Sequence, residues 1–134
     1  MPQPKRIKHK KVHQRKLKSR AKRGTSLSFG AFGLKAEGSS WIKSNQLEAS
    51  RRAMTRFVQR GGKIWTRVFP DKPRTSKSSE VGMGGGRGAL SHFVVPVEAG
   101  RVIFEIDGLP ESSAREALRL GAFKLPIKTR IIKR

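Results

Sequence analysis

The sequence contains no cysteine, few acidic residues and no long apolar run. Without cysteine there can be no disulfides, thiolate metal sites or cysteine nucleophiles. The longest strongly apolar stretch, Phe93 to Val97, is far shorter than the roughly 20 residues that a membrane-spanning helix needs. No apolar segment follows the N-terminus, so we expect neither a secretory signal nor a membrane partner.

Acidic residues are strongly outnumbered, with 9 Asp and Glu against 31 Lys and Arg and a formal net charge of +22. A large excess of one sign repels itself, and a compact fold tolerates it best beside a dense counter-charge. Nucleic acid is the commonest such partner, because each phosphate that is neutralised releases a condensed counterion. A merely soluble, highly charged surface is the alternative.

The few acids mostly suit helix caps and surface pairs, so no catalytic carboxylate pair or Ser/His/Asp group can be argued and we expect no enzyme.

The charge distribution divides the chain into a basic N-terminal extension, residues 1–23, and a domain, residues 24–134. The extension, called the tail below, has no acid and too little apolar surface to order by itself, so we expect disorder in the absence of RNA. Its cations could thread between RNA helices and touch phosphates without reading sequence. A solubilising tail or an organellar transit peptide is the alternative. The predicted RNA-binding residues of the tail are Lys5, Arg6, Lys8, Lys10, Lys11, Arg15, Lys16, Lys18, Arg20, Lys22 and Arg23.

The first half of the domain has patterns of both strands and helices. Leu27, Phe29 and Ala31 alternate with small polar residues, which predicts a half-buried strand followed by a loop at 38–40. Ser44 is a good N-cap for a helix that runs to about residue 60, where two glycines stop it. The composition then predicts a strand over 63–69 and a long loop over 70–88.

The second half predicts two strands, 90–97 and 101–107, and their short connection suggests an antiparallel hairpin. Pro110 suits the first turn of a helix to about residue 122, and a closing strand covers 127–131. The inner stripe of this helix is Ala114, Ala117, Leu118 and Gly121. The sum is a single α+β domain, with two helices packed on a mixed, largely antiparallel sheet, plus the tail and a long Gly-rich loop.

The first predicted helix carries the best-defined basic patch of the domain. Its apolar side is expected to consist of Leu47, Met54, Phe57 and Val58. On the other side Arg52, Arg56 and Arg60 follow at steps of four, with Arg51 at their edge. Guanidinium groups in such a row can meet successive phosphates, so we predict RNA contact. The alternative is a solvated face with a Glu48–Arg52 pair.

The glycine loop, residues 82–88, invites a nucleotide-binding interpretation that the sequence excludes. It has no G-K-[ST] element, and a strand follows it where a dinucleotide site needs a helix. We therefore expect no cofactor. Glycines instead let a backbone approach RNA closely, and an ordinary flexible loop is the alternative.

The remaining chemistry-bearing residues are two tryptophans and three histidines. Trp41 and Trp65 could stack on bases, although a core position is favoured for Trp65. His9 and His13 have helical metal-ligand spacing, but no carboxylate or thiol lies near to complete a site, and His92 is remote in sequence. We expect no metal.

Several stretches resemble the bacterial-type large-subunit ribosomal protein L sixteen family (universal uL sixteen), in the family's order and over nearly the whole chain. The most specific are RVFPDKP at 67–73 and KLPIKT at 124–129, and PKR at 4–6, SFGAFGLKA at 28–36, AMTR at 53–56 and GKIW at 62–65 agree with them. Because the match begins by Pro4, the tail resembles a mature tail and not a transit peptide.

The resemblance implies a structural protein that binds large-subunit rRNA, acts in late subunit assembly and supports tRNA placement near the aminoacyl-tRNA site. It implies rRNA contact by the tail, Arg51, Arg52 and Arg56, and a tRNA-proximal loop formed by Met83, Gly84, Gly85, Gly86, Arg87 and Gly88. The implied partners are large-subunit rRNA, tRNA and neighbouring ribosomal proteins, without a homo-oligomer. The implied location is a cytoplasmic or an organellar ribosome.

The glycine loop departs from the family pattern. Gly82 stands where many bacterial members have an arginine before the loop methionine, so no role of that arginine carries over. The loop reads MGGGRG where the family usually alternates lysine with glycine, and only Arg87 keeps a charge. Lys72 and Arg74 flank its N-terminal end. We expect a weaker electrostatic hold on RNA at the loop tip, with the tail compensating.

Two other functions remain open on the sequence. A free-standing RNA chaperone or nucleoid protein would share the charge but would not sediment with large ribosomal subunits. An RNA-modifying or nucleotide-using enzyme would need a cofactor loop or an acid/base group, which the sequence does not offer.

Overall fold

The computed structural model describes residues 1–17, 19–59 and 61–134, so the predictions for Lys18 and Arg60 lie outside the described residues. Seven strands and two helices occur in the described part of the chain. In chain order they are β1 (Phe32–Ala36), β2 (Ser40–Lys43), α1 (Ser44–Val58), β3 (Lys63–Thr66), β4 (Lys72–Ser76), β5 (Ala89–Val97), β6 (Val102–Asp107), α2 (Glu111–Ala122) and β7 (Thr129–Lys133).

The strands form two sheets, which we call sheet A and sheet B. Sheet A has the order β3-β6-β1-β7 and sheet B the order β2-β5-β4. All five strand pairings among the described residues are antiparallel. The predicted α+β class with two helices is confirmed, while the strands divide between two antiparallel sheets where one mixed sheet was expected.

The helices and both sheets share one hydrophobic core. Ile42 and Val97 of sheet B, Phe104 of sheet A and Leu118 of α2 are all completely buried within it. Helix α1 packs on α2 at Ser50, whose hydroxyl donates to the carbonyl of Gly121 at 2.8 Å. A side chain at Gly121 would meet Met54, so glycine lets the two helices approach closely. The predicted inner stripe of α2 is confirmed as buried.

Strand β6 shows why the predicted 90–97/101–107 hairpin is wrong. Five consecutive residues of β6 are buried, from Val102 to Ile106, which an edge or hairpin strand with one wet face would not allow. It lies between β1 and β3 in sheet A, whereas β5 lies between β2 and β4 in sheet B. The short connection therefore passes from one sheet to the other, with Gly100 at φ +98° and its N–H bonded to the carbonyl of Ala36.

The starts of β1, β2 and α1 also differ from the predicted boundaries. The predicted strand over Leu27–Ala31 is wrong, since β1 begins at Phe32. Ser40 belongs to β2 and not to a loop. Helix α1 has Lys43 as its N-cap, where Ser44 was expected, and the Lys43 N–H donates to the side chain of Gln46 at 2.9 Å.

The C-terminal end of α1 and its faces also differ from expectation. Gln59 adopts φ +56°, so the helix ends at Val58, before the two glycines. Phe57 is 41% exposed and does not belong to the core face, while Glu48, expected on the wet face, is buried.

The expected long loop over 70–88 contains strand β4, and β3 ends at Thr66, short of the predicted residue 69. Strand β4 pairs with β5 and is an edge of sheet B. An edge strand tolerates Pro73, which a central strand would not. The closing strand β7 is confirmed, two residues later than predicted, and pairs with β1. No helix in residues 1–17, 19–59 and 61–134 is long and apolar enough to cross a membrane.

Candidate nucleic-acid interface

The arginines of α1 form a row on the helix, and Glu48 binds two of them. Arg51 and Arg52 donate through Nε to Glu48 at 3.0 and 3.2 Å. The hydrogen bond from Arg51 is the main reason that the pKa of Glu48 is lowered to about 2, so this carboxylate is ionised at neutral pH. Arg56 is exposed and has no acidic partner among the described residues. Among the described arginines of the row, Arg56 therefore has no acidic partner, while Glu48 orients Arg51 and Arg52.

The described part of the tail has no helix or strand, but it lies against the domain. Its first residues border α1, where the Ser44 hydroxyl is 3.9 Å from the Met1 sulfur. Further along, Arg74 of β4 donates to the side-chain oxygen of Gln14 at 2.9 Å. The N–H of Ala21 then bonds to the carbonyl of Ala99 at 2.8 Å. The lysines and arginines of the described tail are exposed.

The tail and the glycine loop meet, although the contacting residues are 75 and 76 positions apart in sequence. The ammonium of Lys11 donates to the carbonyl of Arg87 at 3.3 Å, and the guanidinium of Arg87 donates to the carbonyl of Val12. The single cation of the MGGGRG segment is thus turned towards the tail. The three glycines from Gly84 to Gly86 all have positive φ, and Met83 is fully exposed.

A second basic surface lies on sheet B and was not predicted as a site. Its members, called the Trp41 cluster, are Trp41, Lys43, Lys72, Arg74 and His92. The ammonium of Lys72 lies 4.2 Å from the centroid of the Trp41 ring, and the Arg74 guanidinium carbon lies 5.7 Å from it. Cation–π contact explains this packing. The sequence signal was available, because Lys72 and Arg74 alternate on one strand as side chains on one face do.

Glu105 is a structural anchor that the sequence interpretation missed, since it is buried and not a surface acid. One carboxylate oxygen accepts the N–H groups of Ser28, Phe29 and Gly30 at 2.9 to 3.0 Å, and the other accepts from Arg67 at 2.5 Å. These bonds tie the segment between tail and β1 to the centre of sheet A. Burial alone would raise the pKa of Glu105, but the amide and guanidinium bonds outweigh it and the pKa is lowered.

Trp65 is half-buried at the edge of sheet A and not in the core. Its ring stacks on Phe29 with centroids 5.9 Å apart, and the Lys63 ammonium lies 5.4 Å from it. No group of three or more His, Cys, Asp or Glu that could hold a metal occurs within the described residues.

These surfaces define a class: a small α+β protein with a cationic tail, a cationic helix row and a basic sheet face, all suited to a polyanion. The model of the family described as ribosomal protein L16p/L10e matches residues 4–132, and the chain belongs to that family. It is therefore a structural ribosomal protein of the large subunit and takes part in translation as a member of a ribonucleoprotein. The helix row, the loop and the tail from residue 4 onwards fall within the matched residues.

Proposed function

We propose that this protein binds large-subunit rRNA through its tail and through Arg51, Arg52 and Arg56, and that its role is structural and not enzymatic. The tail concentrates 11 of the 31 Lys and Arg residues within its 23 positions and contains no acid. Phosphate neutralisation at these positions, with the α+β domain fixing their geometry, is the mechanism that this distribution of charge favours.

We further propose that the loop from Met83 to Gly88 approaches tRNA and that the protein supports late subunit assembly and tRNA placement near the aminoacyl-tRNA site. The contacts between Arg87, Lys11 and Val12 support this, because they join the loop and the tail into one surface. The loop tip itself carries little charge, so the tail supplies the hold on RNA there. Neighbouring large-subunit proteins are the expected protein partners, without a homo-oligomer.

Sedimentation through a sucrose gradient at moderate salt tests the proposal. The tagged protein should migrate with large subunits and stay with them when free RNA is digested. A free-standing RNA chaperone would instead stay near the top or follow bulk RNA, and that outcome would contradict the proposal. A cryo-EM map of the assembled subunit would then show which phosphates the tail and α1 contact.

A further inference from the structure

The face of sheet B that points away from the core carries an unusual set of side chains. Lys43, Val94 and Lys72 stand in one register row across the three strands, and Arg74 pairs with His92 in the adjacent part of the sheet. Val94 is 2% exposed although it lies outside the core cluster. Because side chains alternate between the two faces of a strand, Lys72, Arg74, His92 and Val94 share the outer face.

The charges on this face have no acid among them. Burial is the main reason that the pKa of Lys72 is lowered, and the charges of Arg74 and Arg15 add to it. Burial likewise lowers the pKa of His92, with Lys43 and Arg74 contributing. None of the ion pairs within residues 1–17, 19–59 and 61–134 involves Lys43, Lys72 or Arg74. A group of cations that repel one another is stabilised when an anion joins them.

The tail adds to the cluster from outside the sheet. Gln14 accepts a hydrogen bond from Arg74, and Arg15 lies near enough to Lys72 to lower its pKa. The domain and the tail therefore contribute cations to one place. Trp41 holds Lys72 and Arg74 over its ring, which limits the freedom of two otherwise flexible side chains before any ligand arrives.

We propose that the Trp41 cluster, together with Arg15, is a binding site for consecutive phosphodiesters of an RNA strand. Lys43 and Lys72 lie on strands two apart, so their backbones are separated by roughly 10 Å. With Arg74 and Arg15 the site brings together four cations, more than the single negative charge of one phosphodiester can neutralise, whereas successive phosphates of a strand can. The inference rests on the proposed rRNA binding and adds a surface to it, in which the strand lies between sheet B and the tail.

Tryptophan emission can report on this site directly. The chain has two tryptophans and no tyrosine, so the variant Trp65→Phe leaves Trp41 as the sole emitter, and Trp41→Phe leaves Trp65. Single-stranded oligouridylate should change the Trp41 emission saturably and leave the Trp65 emission nearly constant. Inorganic phosphate at the same phosphate concentration should change the Trp41 emission little. A duplex of equal length tests whether a helical RNA backbone also fits the site.

The variant pair Lys72→Gln/Arg74→Gln in the Trp65→Phe background should bind oligouridylate about tenfold more weakly and lower the salt slope by about one unit or slightly more. Arg115→Gln/Arg119→Gln is the matched control, because it removes two positive charges from α2, where Glu111 and Glu116 already pair with them. Equal losses of affinity in both pairs would show that only net charge matters and would overturn the site. Should the first pair fail to fold by circular dichroism, Arg15→Gln in the tail replaces it, with a decrease in affinity of about threefold expected.

The outcomes separate this site from the proposed function. If the protein sediments with large subunits while Trp41 ignores oligouridylate, the site is wrong and the proposed function stands. If the protein binds oligouridylate at Trp41 but leaves large subunits at moderate salt, the proposed function is wrong and the site stands.

Discussion

At the scale of single residues, Glu105 fixes the path of the chain before β1. Its carboxylate is completely buried and holds three backbone amides and Arg67. A buried carboxylate is tolerated only when its lone pairs are used, and here the amides are those that a strand over 27–31 would have placed in a ladder. The same bonds therefore explain both the burial of the acid and the irregular path of the chain before β1.

Replacing this carboxylate should destabilise the domain strongly. Glu105→Gln keeps the shape and one acceptor but leaves the largely buried Arg67 without its counter-charge, at a cost of about 3 kcal/mol in the free energy of unfolding. Urea denaturation followed by circular dichroism measures it. Glu116→Gln makes the same charge change at an exposed pair with Arg119, so its midpoint should hardly move. Similar midpoints for the two variants would contradict this role of Glu105.

The same residue predicts a pH dependence. Its pKa in the folded protein lies below the ordinary value of 4.5, so its contribution to stability is complete above pH 4.5 and falls as the pH drops through the folded pKa. The stability difference between the protein and Glu105→Gln should be constant from pH 7 to about 5 and should shrink below that. A difference that grows towards acid would show that the carboxylate is not stabilised by folding.

At the scale of the secondary-structure elements, α1 combines two functions on one helix. Leu47 and Met54 join the core, while Arg52 and Arg56 face solvent. Glu48 lies between these sides and holds Arg51 and Arg52, so the row is partly neutralised before RNA binds. Removing the charge of Arg56, which has no such acid within the described residues, should therefore reduce RNA affinity more than removing that of Arg52.

Reversing the charges at Arg52 and Arg56 together should weaken rRNA binding and flatten its salt dependence, by about one unit of slope for each phosphate that is no longer neutralised. Filter binding to large-subunit rRNA over a salt series measures the slope. Arg115→Glu/Arg119→Glu on α2 serves as the control for net charge. An unchanged slope in the α1 variant would show that this face is exposed to solvent in the complex.

At the scale of the whole molecule, the charge of +22 is borne by a domain that already has a complete core. The core cluster and the residues packed on it contain nothing from the described part of the tail, residues 1–17 and 19–23. The tail is instead attached by a few hydrogen bonds to β4, the glycine loop and the β5–β6 connection. The two side-chain hydrogen bonds are exposed, so we expect a bound polyanion to compete with them.

Neutralising the charges of the tail should weaken RNA binding and leave the stability of the domain unchanged. Replacing the Lys and Arg of residues 1–19 by Gln keeps the chain length, and it should lower the salt slope of rRNA binding by several units, at most about one for each cation removed. The urea midpoint should stay within error, because no side chain of the tail that the structure describes belongs to the core. Filter binding and urea denaturation on the same preparations measure both. A large decrease in stability with an unchanged slope would contradict this division of roles.

Local patterns predicted much of this molecule. The 3.6-residue period located both helices and the buried stripe Ala114, Ala117, Leu118 and Gly121, because helical hydrogen bonds are local. Composition placed the cationic tail and the α1 arginines. The hairpin prediction was wrong because strand partners are chosen by distant residues. Strands β5 and β6 are close in sequence but belong to different sheets. Strand β6 is covered on both faces in the middle of sheet A, where it buries more apolar surface than it would in a two-stranded hairpin.

Composition and short-range periodicity were sufficient to predict the α+β class. They also predict affinity for a polyanion and a tail separate from the domain, and these two stay predictions. The three-dimensional arrangement was needed to show that Glu105 is buried, that Arg87 meets the tail, and that Trp41, Lys72 and Arg74 share one face with His92. The physical reason is that burial and electrostatic proximity depend on which strands pair. That pairing is settled by hydrogen bonds and packing between residues far apart in the chain.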